Sequence, residues 1–150
     1  MKKLNSNIFI AAVIIGLTMM TSNLFAQTTS PGIFFQAVAR DSYSNPAKDR
    51  NIHVQSSIIQ TTATGTVVLK EEFTTNTDVS GVFSINIGKG IRVGGTSSNL
   101  ENIEWNKGPF FLNIKIAITP VAPTSSWNYA NEWIDLGTTP FGSVPYALYA

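Results

Sequence analysis

Residues 82–88 read Val-Phe-Ser-Ile-Asn-Ile-Gly, with Phe83, Ile85 and Ile87 alternating against Ser84 and Asn86. Successive side chains of an extended chain point to opposite faces, so a period of two marks a half-buried β-strand. The same alternation recurs on both sides of this stretch. Upstream, Ile52 to Gln60 sets Ile52, Val54, Ser56 and Ile58 against His53, Gln55 and Ser57. Thr66 to Thr74 sets Val67, Leu69 and Phe73 inward against Lys70, Glu72 and Thr74, and the turn Thr61 to Gly65 joins these two runs as a hairpin. Earlier still, Ile33 to Arg40 reads as a first strand, followed by a loop from Asp41 to Asn51 that carries the turn pair Asn45-Pro46.

Downstream, Lys89 to Ile103 has no strand or helix period, and its Gly and Ser content predicts a long connection crossing between sheets. After a turn at Asn106 to Pro109, Phe110 to Thr119 places Phe110, Leu112, Ile114, Ile116 and Ile118 on one face, the mark of a central strand. Pro120 to Ser126 is a second loop, Trp127 to Leu136 a further strand, and Gly137 to Phe141 its short extension. Six to seven short strands with turns between them and no interior helix predict one all-β domain over residues 33–142. The architecture expected is a single antiparallel β-sandwich of immunoglobulin or transthyretin type. At the far end, Ser143 and Pro145 precede helix formers, so residues 143–150 read as a junction segment that starts a helix.

The first 26 residues differ in kind. Lys2 and Lys3 precede an apolar run from Ile8 to Met20, and a polar stretch leads to Leu24-Phe25-Ala26. These are the three regions of a secretory signal peptide, with cleavage expected after Ala26. The run is shorter than the roughly 20 residues a membrane-spanning helix needs. Residues 27–32 (QTTSPG) form a polar lead-in to the domain. The expected location is therefore secreted, periplasmic or cell-surface, with no transmembrane span after cleavage.

Cysteine is absent, which excludes disulfides, thiolate metal sites and a lipid-anchored cysteine. The 10 basic and 9 acidic residues nearly balance, and Lys2 and Lys3 fall in the leader, so no basic field is available to hold nucleic acid.

Four phrases carry a family likeness: Ile33 to Asp41 (IFFQAVARD), Thr74 to Gly88 (TTNTDVSGVFSINIG), Ile103 to Leu112 (IEWNKGPFFL) and Ser143 to Ala150 (SVPYALYA). Together they resemble the N-terminal β-sandwich domain of many secreted and surface proteins of Bacteroidota, and the likeness spans nearly all of residues 27–150. What it implies is a domain placed ahead of a fibre-like, coiled-coil or collagen-like region with a chaperone-type C-terminus. The chain stops at Ala150, where such a continuation would begin. No catalytic residues carry over from the likeness. The middle phrase is also similar, at the level of fold alone, to transthyretin-type and carboxypeptidase-regulatory sandwiches.

Candidate chemistry is sparse. His53 is the one histidine, on a polar strand face without a second His or a Cys to share a metal, and reads as an ordinary surface or edge histidine. Asn76, Asp78, Ser80 and Gly81 imitate the first half of a calcium loop, but the twelfth position is Ile87, where a bidentate acid is due. A tight turn capped by side-chain oxygens, with Gly81 at positive φ, is the better reading. The glycines at 88, 90, 94 and 95 lack phosphate-loop spacing. Glu71-Glu72 and Glu101 with Glu104 read as solvated surface acids, the adjacent pair pointing to opposite faces.

Trp127, Tyr129 and Trp133 share one strand face at even spacing, where they would either stack on sugar rings or pack as core and edge. Val144, Tyr146, Leu148 and Tyr149 make an uncharged apolar end that would dock on its own sandwich, on a partner or on copies of itself. The expectations are these: no enzyme, no cofactor, and a structural or interaction module that associates with itself or with other surface proteins. On the resemblance it is the base or cap of a fibre-like surface assembly. The alternative is a carbohydrate-binding module using the aromatic face, with a glycan as partner.

Overall fold

A computed structural model describes residues 32–142, which belong to the second of two compact units of the chain, Pro31–Ala150. The signal peptide at 1–26, nearly all of the lead-in, and the helix start at 143–150 with Val144, Tyr146, Leu148 and Tyr149 lie outside the described residues.

The described chain is all-β. Seven strands, β1 (Ile33–Val38), β2 (Asn51–Gln60), β3 (Thr66–Asn76), β4 (Val82–Ile87), β5 (Ile91–Gly94), β6 (Phe110–Ile118) and β7 (Ile134–Pro140), form two antiparallel sheets. One sheet has five strands in the order β5-β3-β2-β6-β7, and the other pairs β1 with β4. The 82–88 alternation is realised in β4: Phe83, Ile85 and Ile87 are buried, while Ser84 and Asn86 are exposed.

These β4 residues share one buried cluster with Ile52, Val54 and Ile58 of β2, Leu69 of β3, and Ile114 and Ile116 of β6. Ile33, Phe35 and Ala37 of β1 pack against the same cluster. The two inner faces thus make a sandwich. A fully buried Ile or Phe contributes on the order of 1.5–3 kcal/mol by leaving water, and no cystine supplements that packing. Leu100 and Ile103 of the 95–109 connection and Phe110 at the start of β6 extend the cluster.

Three expectations are corrected. The connection after β4 crosses between the sheets as expected but also holds a strand, β5, which pairs with β3 at the sheet edge. Its Ile91, Arg92 and Val93 are all exposed, so its sequence shows no alternation of burial to read. The strand expected over Trp127–Leu136 begins only at Ile134. Before it, the Asn128 side chain accepts from the Ala130 N–H and caps a 3-10 turn at Tyr129–Asn131. Side-chain capping of this kind competes with strand pairing, as Asn does in turns generally.

Third, a β-bulge between Ile58 and Ile59 sets Ile58 opposite Leu69 and Ile59 opposite Val67. The extra residue, Val68, is thereby buried beside Leu69, whereas strict alternation assigns the inward place to Val67.

Candidate functional site

The outer face of the five-stranded sheet carries the histidine and the aromatic residues. β2 presents His53 and Gln55 there, and the register places them beside Thr74 and Glu72 of β3 and Ala117 and Lys115 of β6. The 120–133 loop lays Tyr129 on His53, with ring centroids 3.9 Å apart and planes at 11°. Trp127 approaches the same imidazole at 6.2 Å, and Trp133 meets Tyr129 edge-on at 5.6 Å. The three aromatics predicted as one set are therefore together, but on a loop, with Trp127 and Tyr129 against His53 and Trp133 against Tyr129, instead of laid out along a strand.

Hydrogen bonds tie this cluster to the sheet. The Tyr129 hydroxyl donates to Glu72 Oε2 at 3.4 Å, Gln55 Nε2 donates to Glu72 Oε1 at 2.9 Å, and Thr74 Oγ1 lies 3.3 Å from His53 Nδ1. Burial lowers the His53 pKa from its usual value, and the nearby Glu72 charge opposes that shift. Further along the face, Asn113 Nδ2 donates to Asp135 Oδ1 at 2.8 Å, and Lys115 approaches the same carboxylate at 3.9 Å. The Gly137 N–H, 2.8 Å from Asp135 Oδ1, contributes most to holding that carboxyl below its usual pKa, followed by Asn113 and Lys115.

One face of the Tyr129 ring is spent on His53, and all three aromatics are only half-exposed. A flat platform of three parallel rings, the geometry suited to stacking along a sugar chain, is not formed. Nor does His53 share a hydrogen bond with Glu72, whose oxygens face Gln55 and Tyr129.

The remaining candidates are dispersed. Asp78 Oδ1 accepts from the N–H groups of Ser80 and Val82 at 2.8 and 2.9 Å, and Gly81 has φ +79°, so this segment is a tight turn. Gly95 has φ +99°, and a Cβ there would stand 2.5 Å from the Val68 carbonyl oxygen, so glycine serves close backbone approach at that point. Glu101 and Glu104 are exposed, Glu104 accepting from Lys107 Nζ at 2.8 Å.

Glu71 departs from its expected place in solvent. It and Glu72 do point to opposite faces, but Glu71 points inward, is 4% exposed, and takes the Gly88 N–H on Oε2 at 2.7 Å. The sequence carries no signal for this, because the donor is a backbone group that only the crossing of β4 over β3 brings near.

A cleft of about 150 Å³ lined by Gln60, Val68, Ile103 and Phe110 and a depression of about 330 Å³ beside Gln36, Thr75 and Ser84 each hold one ionisable side chain, Glu104 and Asp78 respectively. Among the described residues, no group of three or more His, Cys, Asp or Glu side chains is arranged to hold a metal ion. No helix among them is long and apolar enough to cross a membrane.

The feature that sequence reasoning passed over is the exposed side of β1. Phe34 is 70% exposed and Val38 40%, on the solvent face of the two-stranded sheet. β4 shows Ser84 and Asn86 on the same face. The strand carries no charged residue and no proline, the usual guards of a sheet edge. The signal was present in IFFQAV, whose two faces are both largely apolar.

The fold and this surface define an all-β protein of two antiparallel sheets with an apolar strand at the margin of the smaller one. No family model, no curated protein and no solved structure matches the chain.

Proposed function

We propose that this chain is an exported structural or interaction module without catalytic activity, acting at the cell surface as the base or cap of a fibre-like assembly. The observation that carries the reading is the unguarded apolar strand β1, with Phe34 and Val38 in solvent. Strands of this kind are templates for pairing with another chain, and natural proteins blunt or cover them. The signal-peptide pattern at residues 1–26 supports export, and the resemblance to N-terminal domains of surface proteins supports a place in a larger assembly. The scattered ionisable groups favour a binding role over catalysis.

The test is cell fractionation with surface cross-linking. The expected result is a chain lacking residues 1–26 outside the cytoplasm, cross-linked into species larger than the monomer. Recovery of the uncleaved chain from the cytoplasm, or of a monomer alone from the surface, overturns the reading.

A further inference from the structure

β6 and β7 are neighbours in the five-stranded sheet, and an antiparallel pair of that kind needs only about 2–5 residues to turn. β6 ends at Ile118 and β7 begins at Ile134, so the chain between them makes a far longer excursion. It reaches past its own strands to two others: Tyr129 lies on His53 of β2, and its hydroxyl donates to Glu72 of β3. Connections of this length are uncommon inside a compact domain and tend to carry a function of their own.

The loop is attached differently from the rest of the sandwich. None of residues 120–133 is buried, and none belongs to the core cluster. Among the described residues, the backbone hydrogen bonds of 120–132 close within the loop: Trp127 N–H donates to the Thr124 carbonyl, Asn131 N–H to that of Asn128, and Glu132 N–H to that of Tyr129. Its specific contacts with β2 and β3 are the Tyr129 and Trp127 rings against His53 and the 3.4 Å hydrogen bond to Glu72. Few buried apolar groups and no backbone ladder mark a segment that opens at lower free energy than the core.

From this contrast we infer that residues 120–133 are a flap that opens off the outer face as a unit while the sandwich stays folded, with the His53–Tyr129 stack as its latch. The two ends of the flap are fixed independently of the latch: Thr119 N–H donates to the Asn51 carbonyl at one end, and Ile134 pairs with Ile116 at the other. Opening therefore leaves both sheets paired and the core cluster intact. It bares the side of the His53 ring that Tyr129 covers and releases the Glu72 oxygen that accepts from Tyr129, while Glu72 keeps its 2.9 Å bond from Gln55. The 3-10 turn at Tyr129–Asn131 does not outlast release, because a single helical turn is too short to hold itself in water.

The test is amide hydrogen exchange of the purified chain, read residue by residue by NMR in urea below the unfolding transition, for the wild type, Tyr129→Ala and His53→Ala. The Ala130, Asn131 and Glu132 amides are bonded only while the turn exists. Their protection is expected to be lower than that of the central β2 and β6 amides by about tenfold or more. It should also hardly respond to urea, because opening the flap exposes little surface, whereas the strand amides respond steeply. In either variant the three flap amides lose their protection and the β2 and β6 amides remain protected.

Flap amides that share the protection and the urea dependence of β2 would place the loop in the same cooperative unit and overturn the inference. Flap amides unprotected in the wild type would leave no closed state to latch, and protection surviving in both variants would put the latch elsewhere; either result defeats it. If Tyr129→Ala strips protection from β2 and β6 along with the flap, the loop is part of the folded unit and the inference fails. Tyr129→Phe, which keeps the stack and loses the hydroxyl, separates the ring from the bond to Glu72. Retained flap protection is the expected result there, and its loss would move the latch from the stack to the hydroxyl.

Discussion

The imidazole of His53 and the phenol ring of Tyr129 lie face to face, 3.9 Å between centroids and 11° between planes, on the outer side of the five-stranded sheet. This contact attaches the 120–133 loop to β2, across the strand order from β7, which the loop precedes.

Burial lowers the His53 pKa relative to the unfolded chain, so in the interval below about 6.5 the unfolded state binds the proton more readily than the folded one. Stability is then full above that value and falls as pH drops through it toward the lower folded-state pKa. Thermal unfolding between pH 7.5 and 5 is expected to show a declining midpoint. His53→Gln should flatten this part of the profile, and an unchanged slope in that variant would remove His53 as its source.

Tyr129 contributes two ring contacts, to His53 and Trp133, and a hydroxyl bond to Glu72. Tyr129→Ala is expected to cost about 1–3 kcal/mol, from lost area and about 0.5–1.5 kcal/mol per aromatic pair. Tyr129→Phe should cost about 1 kcal/mol or less, because its 3.4 Å hydrogen bond is long and the stack survives. Urea unfolding of the two variants measures the difference. Equal losses would place the energy in the hydroxyl and not in the ring.

Much of the sandwich was legible because burial follows alternation wherever a strand has one wet face. In β4 and β6, Phe83, Ile85, Ile87, Ile114 and Ile116 lie where their spacing puts them. Legibility failed where a non-local partner decides. Val68 is turned inward by a bulge set by its pairing with β2, and β5 is a strand only because β3 offers it an edge. Trp127, Tyr129 and Trp133 were recognisable as a set, yet the residue on which Tyr129 stacks, His53, lies more than seventy residues away in sequence, and a turn capped by Asn128 precedes β7. Glu71 was misjudged for the same reason, since its hydrogen-bond donor comes from another strand's end.

Glu71 is therefore expected to hold the sheets together. Its carboxylate is almost wholly buried and takes the Gly88 N–H at 2.7 Å, just where the chain leaves β4 to cross to β5. Glu71→Ala leaves that donor unsatisfied and opens a cavity at the crossing, costing about 1–3 kcal/mol for the donor alone. Glu71→Gln keeps an acceptor oxygen and should cost less. Amide exchange at Gly88 distinguishes the two: rapid exchange in Glu71→Ala with protection retained in Glu71→Gln is the expected pattern, and protection in both would show that another group satisfies the amide.

The turn before β4 offers a test of backbone geometry. Gly81 has φ +79°, and a Cβ placed there would stand 2.9 Å from Pro46 Cβ and 3.0 Å from the Ala39 carbonyl oxygen. Gly81→Ala is therefore strained both by its dihedral, which costs an L residue about 1–2 kcal/mol, and by close approach to backbone that cannot swing aside. The Gly81 carbonyl also receives the Ala39 N–H, the bond that sets which β1 residues face β4 and which face the open edge. A Gly81→Ala variant should lose stability by about 2 kcal/mol or more. Asp78→Ala removes the oxygen that takes the Ser80 and Val82 N–H groups yet leaves the Gly81 dihedral accessible, so its loss should stay near 1 kcal/mol. Denaturant unfolding ranks the two, and a larger loss for Asp78→Ala would mean that the side-chain cap, and not the glycine, determines the turn.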